Sequence, residues 1–175
     1  MRAPESVEVG VDLKFISVKG TWKPSVAERE AAWELYVELI TRVSVVPLQG
    51  GILREALSSY YTLFAGSRDV LRKYGPQVAE PKPDGQYSFG FLTVAMLNRA
   101  LRPVLSYWHP ELSAWEATRA EGASPVEHER AWEHEPLLRQ DLEAARKILA
   151  EYAKLLGAAC GVPDLSAAVP GLAAS

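Results

Sequence analysis

Leu53-Arg54-Glu55-Ala56-Leu57-Ser58-Ser59-Tyr60-Tyr61-Thr62-Leu63-Phe64 opens the stretch on which the fold turns. Followed to Tyr74, it places Leu53, Leu57, Tyr60, Phe64, Ser67, Leu71 and Tyr74 at alternating steps of four and three, which aligns them as one narrow apolar seam on a helix. Gly75 and Pro76 follow, a glycine suited to the residue after a helix and a proline that cannot prolong one. Leu138, Leu142, Ala145, Leu149, Tyr152, Leu156 and Ala159 repeat the spacing, so a second helix with a matching seam is expected. Two such seams predict an all-α, up-and-down four-helix bundle.

The other two helices are read from caps and breakers. Ser25-Val26-Ala27-Glu28 is a capping box, in which hydroxyl and carboxylate each satisfy an orphan backbone donor. The helix it starts is apolar over most of its circumference (Trp33, Leu35, Tyr36, Leu39, Ile40, Val43) and is expected to lie buried until Pro47 and Gly50-Gly51 end it. After a loop over Gln77 to Gln86, a third helix is expected to pack through Phe91, Val94, Ala95, Asn98, Leu101, Leu105 and Trp108, kinked at Pro103. His109-Pro110-Glu111 is read as its end and as the start of a short extra helix running to about Arg119. Ser124-Pro125-Val126-Glu127 starts the fourth, with Pro136 bending its first third.

The first residues read differently. Val7, Val9, Val11, Leu13 and Phe15 alternate with Glu8, Gly10, Asp12 and Lys14, the period of a half-buried strand. A strand needs a partner for its N–H and C=O groups, and no later segment reads clearly as one. The arm over residues 1–22 therefore doubles back on itself, adds to a sheet edge of another chain, or lies extended across the helices. Residues 23–161 form the bundle domain, and 162–175 are expected to be a loose tail.

At 175 residues, 48% hydrophobic and 23% charged, the chain has ordinary globular values for one domain. A net charge of -3 provides no global field to hold a polyanion, which disfavours nucleic acid. One cysteine, Cys160, cannot pair within the chain and fits a reducing compartment, and the N-terminus lacks a secretion signal, so a cytosolic location is expected. No apolar run is long enough for a membrane span. The glycine-rich phosphate loops, G-x-S-x-G and C-x-x-C are missing, and no cofactor is expected.

All three histidines and three of the five tryptophans fall between Leu97 and His134. Arg102 and His109, with six residues between them, resemble the R-x(4–6)-H motif of HEPN-type ribonucleases. The resemblance implies a homodimer cleaving RNA without metal, with His109 as general acid or base and Arg102 holding the phosphate. His109, His128 and His134 with Glu127, Glu129, Glu133 and Glu135 could offer metal ligands. His128 and His134, however, are about 120° apart around a helix, so no metal site is expected. Trp108, Trp115, His128 and Trp132, with Tyr61 and the strand residues Val9, Val11 and Leu13, form the expected interface with another protein chain or a second copy. The run from Asn98 through Trp108-His109-Pro110 to Trp132 is also similar to small bacterial helical-bundle proteins, a resemblance that implies a context beside the larger proteins of conflict and defence systems and assigns no activity. The leading expectation is a non-enzymatic cytosolic adaptor or regulatory subunit; the alternative is the HEPN-like ribonuclease.

Overall fold

A computed structural model of the chain describes residues 3–13, 16–42, 48, 52–163 and 165–168. Strands β1 (Val7–Leu13) and β2 (Ile16–Trp22) precede α1 (Val26–Ile40), α2 (Leu53–Tyr74), α3 (Phe89–Met96), α4 (Arg102–Glu116), α5 (Pro125–Arg130) and α6 (Glu135–Cys160). The protein is mostly helical, with a small antiparallel sheet at its start. Among the described residues no helix is long and apolar enough to cross a membrane.

α6 is the central element. It carries buried residues around most of its girth, from Leu138 and Leu142 through Arg146, Leu149 and Tyr152 to Leu155 and Leu156, because α1, β1 and α4 all pack on it. The expected zipping of the α2 and α6 seams is a minor contact. α6 lies chiefly against α1 and β1, while α2 reaches it through Tyr60, whose hydroxyl donates to the Leu142 carbonyl at 2.9 Å. On α2, Leu63 and Val70 are buried where the heptad favoured Phe64 and Leu71, which are half-buried. Gly75 takes a φ of 67°, as its position after the helix requires.

The arm is a hairpin folded onto its own chain. β1 pairs with β2 in antiparallel register, with Val7 opposite Trp22 and Val11 opposite Val18. Val7, Val9, Val11, Val18 and Trp22 are buried, while Glu8, Gly10 and Asp12 face outward, so the period-two pattern is used to cover α6. The missing partner strand was Ile16-Ser17-Val18-Lys19-Gly20-Thr21-Trp22, which also alternates.

Trp22 is tied down by Glu28. In α1 the capping box forms as expected, with Glu28 N–H donating to Ser25 Oγ and Ser25 N–H donating to Glu28 Oε2 at 2.7 Å. Fully buried, the same carboxylate also accepts from Trp22 Nε1, from Phe89 N–H at 2.9 Å and from Lys82 Nζ at 2.6 Å. One side chain thus joins the hairpin, α1, the loop before α3 and α3 itself. Burial pushes its pKa up, but the Lys82 ammonium and the N–H groups of Ser25 and Phe89 outweigh that and hold it below the ordinary 4.5.

The proline positions account for the other departures. α3 and α4 form one rod joined by a π turn over Leu97–Leu101, in which Arg102 N–H donates to the Leu97 carbonyl, five residues back. Widening the turn before Pro103 accommodates its missing donor, so the expected kink takes the form of a π turn. The rod runs through His109 and Pro110 to Glu116, and the separate short helix expected over Pro110 to Arg119 does not form. Ser124 caps α5 as expected, but the chain breaks over 131–134 and Pro136 sits in the first turn of α6, where proline fits better than in a helix interior. Beyond Gly161, Leu165–Ala168 makes a 3-10 turn whose Leu165 N–H donates to Tyr36 Oη at 3.1 Å, so this part of the expected loose tail is docked on α1. Pro47, Gly50 and Gly51, and the tail from 169 onward, lie outside the described residues. α1 buries one face, with Trp33 43% exposed on the other.

Candidate binding face

Most of the expected contact surface is interior. Trp108 is 2% and Trp132 5% exposed, packed edge to face at 5.9 Å, and Trp108 Nε1 donates to Asp141 Oδ2 at 2.9 Å. Val9 and Val11 are core; Leu13 ends β1, and its side chain lies outside the described residues. Half-buried Trp115 and His128 clasp each other. Their rings stack at 4.6 Å, Trp115 Nε1 donates to the His128 carbonyl and His128 Nε2 donates to the Trp115 carbonyl, each at 2.9 Å. Two crossed bonds and a stack fix the turn between α4 and α5. Trp108 and Trp132 therefore cannot serve as a docking surface in this fold. Tyr61, at 64% exposure, can.

Tyr61 belongs to a valley between α2 and the α3–α4 rod, which run antiparallel. At one end Arg54 of α2 makes a two-pronged ion pair with Glu116, donates to Ser113 Oγ at 3.0 Å and donates to His109 Nδ1 at 3.1 Å. A guanidinium only donates, so His109 carries its ring proton on Nε2. The His109 ring stacks on Tyr61 at 6.5 Å, and the Arg102 guanidinium lies 5.7 Å from the Phe64 ring. Arg102 and His109 are both exposed on the same side of α4, about 10 Å apart along its axis, with no contact between them.

The other end of the valley is apolar. Leu71 of α2, Gly75, Val78 and Ala79 of the following turn, Gly90, Phe91, Val94 and Ala95 of α3, and Asn98 and Arg99 of the π turn line a groove of about 650 Å³. Phe91 is 53% and Val94 46% exposed. These side chains were expected in the core. α3 instead buries Phe89, Leu92, Thr93 and Met96 and leaves its second apolar stripe outside. Gly90 forms the floor, since a Cβ there would lie 2.6 Å from the Ala79 Cβ. The signal for this was legible: Phe89-Gly90-Phe91-Leu92-Thr93-Val94-Ala95-Met96 is apolar all round, more than a helix at the surface of a bundle can cover.

Glu129, treated as part of a solvated charged turn, is 6% exposed and accepts from Leu53 N–H at 2.8 Å, capping α2 from α5, because Ile52 at its own N-cap offers no side-chain acceptor. Burial raises its pKa against the opposing pull of that bond and of Arg139. His134 packs against Trp132 and Trp108, so the three histidines occupy three separate places. Among the described residues no group of three His, Cys, Asp or Glu side chains forms a metal site. Cys160 is half-buried against α1, and burial pushes its thiol up to about 11, away from reactivity. Comparison of the chain with protein-family models, with curated proteins and with solved structures finds no match in any of the three.

Proposed function

We propose that this protein is a non-enzymatic cytosolic subunit that works by holding another protein chain in the α2–α3 valley. The observation that carries the reading is the uncovered stripe of Phe91 and Val94 on a helix whose opposite face is core. Covering the exposed half of these two side chains is worth about 2 kcal/mol, and the groove beside them gives a partner a place to insert. A photo-crosslinking amino acid at position 91, tested in producing cells against the same label at exposed Glu111, is expected to give a discrete adduct of higher mass at 91 alone. Equal or absent adducts at both positions sink the reading.

The ribonuclease reading is favoured by a separate observation. Arg102 and His109 are both solvent-exposed on one side of α4, with Arg54 beside them. With Arg54 occupying Nδ1, His109 offers a donor, so service as a base requires Arg54 to swing away. Cleavage of single-stranded RNA by the purified protein, lost in His109→Ala with melting temperature unchanged, is the outcome this reading needs; an equal rate in both proteins excludes it.

A further inference from the structure

The valley also has a charge pattern. We propose that its occupant is an amphipathic helix of about three turns with an acidic flank, its apolar stripe in the Phe91–Val94 groove and its carboxylates on Arg99 and Arg102. This rests on the protein-docking reading above and names the partner's chemistry.

Three features point to that occupant. The first is length. From Gly90 to Arg102 the rod extends about 18 Å, matching roughly twelve residues of helix. The second is shape. Gly90 and Ala79 pack on each other as a floor without side-chain relief and Ala95 beside them is small, so a helix can settle between the ridges made by Phe91 and Val94 and by Leu71. The third is charge. The protein is acidic overall, yet Arg99 is the charged member of the groove lining, Arg102 follows one turn later, and Arg68 stands on the α2 ridge between Phe64 and Leu71. None of these three arginines makes an ion pair among the described residues. Three guanidinium groups without an ion pair at one end of an apolar groove fit an apolar ligand edged with carboxylates, and Arg102 lies over the Phe64 ring beside that groove.

Two labelled fourteen-residue helical peptides with the same leucine and alanine stripe, one flanked by glutamate and one by lysine, test this by fluorescence anisotropy against the full chain. The glutamate peptide is expected to bind at least tenfold more tightly than the lysine peptide, and less tightly as salt rises. Val94→Glu is expected to abolish that binding, and the Arg99→Glu, Arg102→Glu pair to reverse the preference, with circular dichroism and melting temperature verifying that each variant is folded. Equal binding of the two peptides, or binding that survives Val94→Glu, overturns the proposal. So does a labelled single-stranded oligouridylate bound through the same arginines in place of the peptides, or a wild-type dimer that Val94→Glu makes monomeric. A crosslink at position 91 without discrimination between the peptides refutes the acidic helix and leaves the docking reading standing; absence of both refutes the two together.

Discussion

Replacing Glu28 by alanine is the severest single test of how this molecule is held together. The carboxylate accepts four hydrogen bonds at zero exposure, from Trp22 Nε1, Ser25 N–H, Phe89 N–H and Lys82 Nζ. Ser25 is exposed and can turn to water, but the Trp22 indole and the Phe89 amide are buried, and each buried donor left unpaired costs about 1–3 kcal/mol. Lys82, with 17% of its side chain exposed, recovers part of its hydration, so the pair adds less than the roughly 3–5 kcal/mol of a broken fully buried ion pair. Loss of the capping box adds about 1 kcal/mol. The sum is about 5 kcal/mol, a large share of the roughly 5–15 kcal/mol that stabilises a typical domain. At this size that lowers the melting temperature by about 10–20 °C. Differential scanning calorimetry of Glu28→Ala against exposed Glu30→Ala measures it, and a difference under about 3 °C refutes the account. The pH dependence supplies an independent check. The native carboxyl sits below its ordinary 4.5, so its stabilising term is complete above that value and disappears as pH falls through the native pKa. Glu28→Gln should therefore flatten the loss of stability below about pH 4.5. Glu129 has the opposite sign: its raised pKa means stability is lost as pH rises from the ordinary value through the native one, so Glu129→Gln should show a smaller loss over that rise.

The hairpin should be indispensable, since Val11→Asp places a charge against α6 and is expected to cost more than 3 kcal/mol by urea denaturation; a fully folded variant lacking residues 3–22 would contradict this. Gly90→Ala must move the turn at Ala79 and is expected to lose about 1–3 kcal/mol, whereas Gly122→Ala, strained in φ but with nothing within 4 Å, loses about 1 kcal/mol, compared by thermal melts. Trp108→Phe removes the donor to Asp141 and leaves a void between α4 and α6; a loss of about 2–3 kcal/mol with retained helicity is expected, and a neutral result would mean the Asp141 bond contributes nothing.

Local chemistry carried much of this fold openly. The capping box at Ser25, the Gly75-Pro76 stop, the Ser124-Pro125 start and the alternation of Val7, Val9 and Val11 each encode a backbone state through interactions a few residues long, and each appears where its spacing puts it. The same local logic reached its limit at the prolines, because whether Pro103 kinks, breaks or widens a helix depends on what the neighbouring turns can rearrange. Tertiary structure alone decided which apolar stripe faces inward. α3 has two, and only the competition among α1, α2 and α6 for buried area chose Phe89, Leu92 and Met96 over Phe91 and Val94. Trp108 and Trp132 went inside and Tyr61 stayed out by the same competition. Long-range pairs such as Glu129 with α2 and Arg54 with His109 join residues 76 and 55 positions apart, and no periodicity in a single chain reports such separations.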